Sequence, residues 1–418
     1  MTKQIENNNE YLVCPSCSLH CDDLVFKKTD DKFKIINIEN IKCKKKVEAY
    51  NISTNSRLTP SINNKKSTLT GAIEKIKKIL ALKNEIAILN HGTDMSGVRS
   101  ILAFASQYHG IIDHVNTKYL YQNISIPQRT GYMATSLTEV KNRAELIIIF
   151  GNKIFDKNPR LVEKILLPKN SLITKKIKKE IILVGSFDKE TIKAMNRKAN
   201  VTNIDIKLDH IPNLLQSIQN KNTTGISIVS NKILKKVQDL LSKTGYTAVT
   251  WTASDFEKSS NAEKIINVIS SFVVDLNVNK RAGCFPISGA LGDVTSSQVL
   301  TWLTGFPSRI KYLDGTFSHN KLAYNITNLI EKYNTDVVIH VSSLALNKIK
   351  INKKITNIVL GHPNSKFTSE PDVFIPIAVP GIDHSGVMFR TDNVVSVRLK
   401  KIRNINLPTT KNILDSLL

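Results

Sequence analysis

Four of the five cysteines in this 418-residue chain lie within its first 43 residues. They form the pattern Cys14-Pro-Ser-Cys17-Ser-Leu-His-Cys21, followed by Cys43, whereas the fifth, Cys284, stands alone. Disulfide frameworks belong mainly to small secreted domains, so cysteines clustered at one end of a long chain favour metal binding. A C-x2-C-x3-C loop with a fourth thiolate from a later segment predicts a 4Fe-4S cluster held by the four clustered cysteines.

Two other accounts of this cysteine cluster stay open. Structural zinc sites favour two separated C-x2-C pairs, but a set of four thiolates can also hold zinc. The cluster can also be the vestige of a site that no longer binds a metal. His20, inside the loop, is interpreted as a surface residue or a neighbour of a ligand rather than as a ligand.

The formal net charge of +24 raises the possibility of nucleic-acid binding. The lysines are spread along the chain, however, and aromatic residues make up only 6% of it, so no stacking platform for single strands is visible. Two dense basic patches, Lys44 to Lys46 and Lys175 to Lys179, are interpreted as solvated faces. We therefore expect no nucleic-acid partner. The basic faces of the protein are expected to be solvated or to dock acidic partner subunits.

Composition places the chain among globular proteins, because 41% hydrophobic and 22% charged residues allow an apolar core without disulfides. No apolar run approaches the roughly 18 to 20 residues of a membrane span, and Met1 to Glu10 does not resemble a signal peptide. We expect a soluble, cytoplasmic protein without a membrane partner. Its length suggests two or three domains.

Beyond the cysteines, short apolar runs alternate with stretches of helical periodicity. Glu85 to Asn90 predicts a strand, His91 to Gly97 a polar turn, Val98 to His109 a helix and Gly110 to Val115 a second strand. This order is typical of a βαβ unit, which favours a parallel sheet.

The same alternation continues along the chain. Further strands are predicted at Leu146 to Phe150, Ile181 to Gly185, Gly225 to Val229, Tyr246 to Trp251, Val337 to Val341, Ile358 to Gly361 and Val373 to Ile377. Helices are predicted at Lys232 to Thr244, Asn261 to Val278 and Ser296 to Leu303, with a Gly-rich segment at Gly283 to Gly292. The predicted class is α/β: a small N-terminal Cys-rich domain of iron-sulfur type, followed by doubly wound, mainly parallel-sheet domains.

Several segments resemble a known family. The cysteine pattern from Cys14 to Asp23, with Cys43 behind it, resembles the molybdopterin oxidoreductase superfamily. Within it, this segment together with Thr138 to Gly151, Asn279 to Pro307 and Asp372 to Asp392 is similar to the B subunit of formylmethanofuran dehydrogenase. The same segments look like the bacterial counterpart in the formyltransferase/hydrolase complex. The resemblance implies a Cys-rich domain over 1–60, an α/β domain from the flanking parts 61–145 and 315–418, and an inserted α/β domain over 146–314.

The resemblance implies that catalytic relatives hold a bis-pterin cofactor, carrying tungsten or molybdenum, in loops at the ends of strands. Lys141, Asn142, Arg143, Asn152 and Arg281 could contact such a cofactor. The arginines among them could equally pair with carboxylates or lie on the surface.

One departure from that family concerns the metal ligand. The resemblance implies a cysteine or selenocysteine on the metal, roughly where Asn116 to Asn123 stands, but the sequence has no cysteine between Cys43 and Cys284. Tyr121 and Gln122 are not equivalent donors, because the metal site requires a soft thiolate. We therefore expect no catalytic residues and no molybdopterin, and Cys284 is interpreted as a small buried residue.

No independent hydrolase motif replaces the lost site, since the chain has no G-x-S-x-G elbow, H-x-E pair or P-loop. His362, Asp383 and His384 are interpreted as loop residues, and His91 and His114 as structural histidines.

The resemblance thus implies a noncatalytic B subunit of a formyltransferase/hydrolase complex in tetrahydromethanopterin-linked one-carbon metabolism, from formaldehyde to formate. Its expected partners are the amidohydrolase-like A subunit, the C subunit and the formyltransferase D subunit. Two alternatives remain: a catalytic formylmethanofuran dehydrogenase chain using a tungsten or molybdenum pterin, and an unrelated zinc-containing binding protein.

Overall fold

The computed structural model describes residues 10–29, 32–83, 85–172, 178–219, 228–287, 291–344 and 346–418. Strands and helices alternate over most of this part of the chain, which confirms the predicted α/β class. The strands are β1 (Glu10–Leu12), β2 (Leu24–Thr29), β3 (Lys32–Ile35), β4 (Ser61–Ile62), β5 (Lys65–Lys66), β6 (Ile86–Gly92), β7 (Ile111–His114), β8 (Leu146–Phe150), β9 (Glu180–Val184), β10 (Asn200–Ile204), β11 (Tyr246–Trp251), β12 (Arg281–Cys284), β13 (Ile310–Leu313), β14 (Thr316–His319), β15 (Val337–Ser342), β16 (Thr356–Gly361), β17 (Val373–Pro376), β18 (Gly386–Phe389) and β19 (Ser396–Leu399).

The α-helices vary from one to four turns. They are α1 (Ile41–Glu48), α2 (Leu69–Leu80), α3 (Met95–Gln107), α4 (Thr117–Thr130), α5 (Leu137–Arg143), α6 (Lys153–Lys157), α7 (Lys189–Asn196), α8 (Ile211–Gln219), α9 (Asn231–Lys243), α10 (Ala262–Leu276), α11 (Asp293–Thr304), α12 (Ile326–Glu331) and α13 (Thr410–Ser416). None of the helices in the described ranges is long and apolar enough to cross a membrane.

The chain divides into two compact units, one formed by residues 1–117 with 290–418 and the other by residues 118–289. The sequence placed the inserted domain at 146–314 and separated residues 1–60 as a domain of their own. Those predicted limits stay a prediction. Each unit contains its own sheet and its own apolar core.

The first unit contains a nine-stranded sheet of order β14-β13-β7-β6-β15-β16-β17-β4-β5. Its five central strands are mutually parallel, and antiparallel pairs close both margins. Strands from both flanking parts of the chain combine in this sheet, since β15 pairs with β6 on one side and β16 on the other.

Alternate residues of the central strands enter different cores. In β6, Ile86 and Ile88 pack in the core that α2, α3, α11 and α13 cover, whereas Ala87 and Leu89 pack in a second core that includes Ile326 of α12. Side chains of a strand point alternately to the two faces, so a continuous apolar run is buried on both sides. The first unit is therefore doubly wound, as predicted.

Several helices of the first unit begin at polar caps, whereas α11 begins after Gly292, which has no side chain to cap it. Thr68 accepts a hydrogen bond from the Gly71 N–H at the start of α2, and the buried residues Ala72, Ile76 and Leu80 follow at four-residue spacing. Such spacing forms one apolar stripe along the helix, which packs on the sheet. A cap of this kind contributes about 1 kcal/mol to helix stability.

The second unit contains a five-stranded sheet, entirely parallel, of order β10-β9-β8-β11-β12. The predicted strands β8 and β11 have the bounds the sequence suggested. β10 was missed, and so was β12, which overlaps the start of the Gly-rich segment predicted at Gly283 to Gly292. The predicted strand at Gly225 to Val229 and the basic patch at Lys175 to Lys179 lie largely outside the described residues.

The Cys-rich segment forms a small antiparallel sheet of order β1-β2-β3, followed by α1. Phe26 on β2 and Phe33 on β3 pack edge to face with ring centroids 6.2 Å apart. The loop between β1 and β2 contains the first three clustered cysteines, and α1 contains the fourth.

Candidate functional site

The loop of Cys14 to Cys21 is closed by its own backbone. The Cys14 N–H donates to the Cys21 carbonyl at 2.8 Å, and the His20 N–H donates to the Cys17 carbonyl at 3.1 Å. His20 has a φ of 45°, in the left-handed region that few residues other than glycine adopt. These bonds hold the first three cysteines on one tight turn.

The thiols of this loop are close enough to influence one another. Burial, together with nearby Cys17 and Cys43, raises the pKa of the Cys14 thiol to about 12. The Ser16 N–H donates to Cys14 Sγ at 3.4 Å, which opposes that shift. Cys43 reaches the loop from the first turn of α1, where its N–H donates to the capping Asn40 side chain at 3.0 Å.

The donor chemistry of this cysteine loop fits a thiolate-bound metal or cluster. Cys17 on the turn and Cys43 on α1 both lie near enough to the buried Cys14 thiol to affect its charge, and an N–H bond to the Cys14 sulfur stabilises negative charge there. Among the described residues, however, no group of three or more His, Cys, Asp or Glu side chains forms a ready-made coordination shell. The predicted cluster on Cys14, Cys17, Cys21 and Cys43 stays a prediction.

The side chain of His20 points into the protein from the cysteine loop rather than into solvent. Its side chain is buried, and its Nδ1 lies 3.1 Å from the Cys14 carbonyl oxygen. Burial lowers the pKa of His20 to about 4, and nearby Arg390 acts in the same direction. The sequence allowed His20 to be either a surface residue or a neighbour of a metal ligand, and its burial excludes the surface position.

A buried polar network lies behind the cysteine loop. Arg403 donates from Nε to Asp383 at 2.7 Å and from Nη1 to the Tyr50 carbonyl at 2.8 Å. The side chains of Arg403 and Asp383 are 3% and 0% exposed, so this ion pair is shielded from water. The Tyr50 ring packs edge-on against the His362 ring at 5.6 Å. His362 and Asp383 lie between strands, as interpreted, but both are buried, which the sequence did not indicate.

A second polar network crosses three strands of the nine-stranded sheet. His91 Nε2 lies 3.0 Å from His340 Nδ1, and His340 Nε2 lies 3.3 Å from Asn357 Oδ1. The Asn357 amide donates its two N–H groups to the carbonyls of Asn352 and Ile355. Its oxygen is therefore the acceptor towards His340.

This arrangement determines which ring nitrogens carry protons. His340 Nε2 must donate to Asn357, which leaves Nδ1 to accept from His91 Nε2–H. His91 then keeps an unprotonated Nδ1. Burial holds the pKa of His91 well below its usual value, and His340 and His114 lower it further. Burial also lowers the pKa of His340 to about 4.

The interpretation of His91 and His114 as structural histidines agrees with these contacts. His114 Nδ1 accepts the Asn116 N–H at 3.0 Å at the end of β7, and burial lowers the pKa of His114 to about 4. His340 was missed in the sequence. The only signal was a single histidine inside the apolar run of β15.

Comparison with known proteins gives relatives along nearly the whole chain. No family model matches the sequence. The B subunit of tungsten-containing formylmethanofuran dehydrogenase 2 from Methanocaldococcus jannaschii is 22% identical over 96% of this chain and 94% of its own length. The protein of that name from Methanococcus maripaludis is 21% identical over 71% of this chain and 70% of its own. The resemblance to the B subunit of formylmethanofuran dehydrogenase is confirmed.

A solved structure shares the fold. A chain of the formyltransferase/hydrolase complex FhcABCD from Methylorubrum extorquens, solved with methylofuran, matches with a TM-score of 0.72 and 15% identity. The match covers 86% of this chain and 97% of that chain. Because only 15% of the residues are identical, this likeness shows only that the two chains share a fold.

The segment where the family resemblance places a metal-binding cysteine contributes to the protein's own packing. Asn116 is buried and donates to Asp293. Tyr121 is buried on α4, and Asn123 accepts a hydrogen bond from Trp251 Nε1 at 2.9 Å. These side chains serve internal contacts.

The residues considered for pterin contacts do not form one site. Lys141, Asn142 and Arg143 lie on α5, before β8 begins, whereas Asn152 follows the carboxyl end of β8. Arg281 begins β12, and its guanidinium lies 5.5 Å from the centre of the Tyr246 ring. Ligands of doubly wound folds bind at the carboxyl ends of strands, where only Asn152 lies.

A large aromatic side chain such as Trp302 usually packs in a core or an interface. Its side chain is 62% exposed on α11, and its ring meets Phe389 edge-on at 5.1 Å. Because more than half of its side chain is exposed, Trp302 is not a core residue.

Proposed function

We propose that this chain is a noncatalytic, cytoplasmic B subunit of a formyltransferase/hydrolase complex in tetrahydromethanopterin-linked one-carbon metabolism, from formaldehyde to formate. Its role is to hold the amidohydrolase-like A subunit, the C subunit and the formyltransferase D subunit together. The observation that carries the proposal is the shared fold, which covers 97% of a chain of FhcABCD.

The missing thiolate supports a noncatalytic role over a redox role. The curated relatives are named as tungsten-containing dehydrogenase subunits, but this chain has no cysteine between Cys43 and Cys284. Cys284 ends a buried strand in the second unit, and burial raises the pKa of its thiol to about 12. Cys284 also comes much later in the sequence than the segment Asn116 to Asn123, where the resemblance places the metal ligand.

Co-purification of the full chain with its partners tests the proposal. The chain is expressed with the formyltransferase and amidohydrolase subunits from its own genome, purified without oxygen, and analysed for subunit stoichiometry, tungsten and molybdenum. We expect a stable complex without stoichiometric tungsten or molybdenum. Stoichiometric tungsten or molybdenum would favour the dehydrogenase alternative instead, and a chain that elutes alone would contradict the scaffold role.

The cysteine loop is proposed to hold a 4Fe-4S cluster on Cys14, Cys17, Cys21 and Cys43. About four irons and matching sulfide per chain are expected, the content of one cubane. Cys14→Ser should lower the iron content and bleach the visible absorbance, whereas the matched control Cys284→Ser should change neither. Zinc without iron would favour the zinc alternative, and a metal-free protein would identify the loop as a vestige.

A further inference from the structure

A concave pocket of about 1000 Å³ lies in the second unit, and five of the eleven described residues that line it are lysines. We call it the lysine pocket and define it by Lys141, Asn142, Lys169, Lys178, Lys179 and Lys198. The lysines come from separate segments: the end of α5, the loop before β9, and the turn before β10. The pocket therefore lies at the amino end of the five-stranded sheet, away from the carboxyl ends where ligands of such folds usually bind.

The charge of the lysine pocket is not balanced locally. No acidic residue lines it within the described ranges. A pocket of similar size along α8, α9 and α10 gives the contrast, since there Lys235 and Lys280 share the lining with Asp239 and Asp275. Uncompensated lysines in a concavity raise the local concentration of anions.

Part of the lysine pocket is held in place before any ligand arrives. Asn142 Oδ1 accepts the Leu172 N–H at 3.1 Å, and Ser171 donates to the Asn142 carbonyl at 3.2 Å, which fastens the loop to α5. Lys179 is buried and donates to the carbonyls of Val140 and Lys141 at 2.9 and 3.1 Å. Its ammonium group is held at the end of α5, where the helix dipole favours a cation, although burial lowers the pKa of Lys179 to about 8.

We infer that the lysine pocket binds a small anion carrying several phosphate or carboxylate groups. Its volume is at the upper end of the range for small-molecule sites. Lysine ammonium groups are compact charges with three donors each, which suit clustered anionic oxygens of either kind. The inference concerns the second unit alone and does not depend on the proposed function.

Isothermal titration calorimetry on the full chain at low salt tests this inference. Tripolyphosphate and tricarballylate serve as separate probes, so the pair also distinguishes phosphate from carboxylate. The double variant K169Q/K198Q removes two charges from the lysine pocket, and K232Q/K236Q removes two from exposed positions on α9. Removing one screened surface charge weakens binding of an anion by about fivefold or less. We therefore expect K169Q/K198Q to bind the probe roughly tenfold more weakly than the unmodified chain, and K232Q/K236Q no more than about twofold more weakly.

Saturable binding of either probe with this difference between the variants supports the lysine pocket. Equal weakening in both variants would show a response to net charge alone and overturn the inference. The absence of saturable binding by either probe to the unmodified chain would overturn it as well.

Discussion

At the scale of single residues, the first unit buries histidines in the neutral form. His91, His340 and Asn357 form a chain across neighbouring strands in which each proton position follows from the next acceptor. Since burial lowers the pKa of His340 to about 4, the folded protein resists a proton that the unfolded chain accepts near pH 6.5.

This difference predicts acid sensitivity. Between pH 6.5 and 4 the unfolded state binds more protons, so the free energy of unfolding falls as the pH drops, by about 1 kcal/mol per pH unit from His340. His340→Gln keeps a hydrogen-bonding side chain but does not titrate, so its stability should depend less on pH. Urea unfolding at about pH 7 and about pH 5 measures both proteins. Identical losses in both would exclude His340 as a source.

The buried pair of Arg403 and Asp383 gives a second prediction at this scale. Asp383→Leu leaves the guanidinium buried without its carboxylate and should lower the free energy of unfolding by roughly 3 to 5 kcal/mol. The double variant D383L/R403M removes both charges and should regain most of that loss. Chemical denaturation compares the two. A double variant no more stable than Asp383→Leu would show that the hydrogen bond from Arg403 to the Tyr50 carbonyl matters more than the ion pair.

At the scale of elements, the turn after β8 depends on a glycine. Gly151 has a φ of 83°, and a Cβ at this position would lie 2.6 Å from the Asp255 Oδ1, well inside van der Waals contact. Asp255 also accepts the Lys153 N–H at 3.0 Å at the start of α6. The close approach of this carboxylate therefore positions the turn between strand and helix.

Gly151→Ala should cost more stability than Gly131→Ala, although both glycines have positive φ. A Cβ on Gly131 would have no neighbour within 4 Å, so its substitution carries only the left-handed strain of about 1 to 2 kcal/mol. Gly151→Ala must also displace Asp255 and should add at least about 1 kcal/mol. Thermal and urea unfolding of both variants check the difference, and equal losses would contradict the contact.

The elements that the sequence predicted best are strands whose residues are buried throughout and mostly apolar. β8 and β11 are buried at every position, so their bounds could be found from local pattern. β10, with the sequence NVTNI, has no such pattern and is a strand because β9 pairs with it in parallel. The contact of His91 with His340 was not predictable either, because it depends on strand order across 249 positions of sequence.

At the scale of the whole molecule, the residues of and after helix α13 pack against helix α3 and Tyr108, which lie in the first half of the chain. Ser100 donates to Asp415 at 2.8 Å, Tyr108 donates to the Leu417 carbonyl at 2.6 Å, and Ile413 and Leu414 are buried. α13 therefore completes the core that covers one face of the nine-stranded sheet.

Deletion of residues 410–418 should destabilise the first unit strongly. The deletion removes the buried side chains of Ile413, Leu414 and Leu417. At about 1.5 to 3 kcal/mol each, their lost burial costs roughly 5 to 9 kcal/mol, which is comparable to the stability of many domains. Lys411→Ala serves as the control, since its exposed pair with Asp415 should contribute no more than about 0.5 kcal/mol. Calorimetry of both proteins measures the effect, and an unchanged melting temperature after the deletion would contradict it.

The position of β15 between β6 and β16 also affects the order of events on the ribosome. β6 is complete at Gly92, but its partner β15 begins only at Val337, after the whole second unit has been synthesised. At roughly 5 to 20 residues per second, β6 waits on the order of 10 to 50 s for that neighbour. The second unit, continuous in sequence, can fold during this interval, while the nascent first unit keeps the edge of the apolar strand β6 unpaired and open to aggregation.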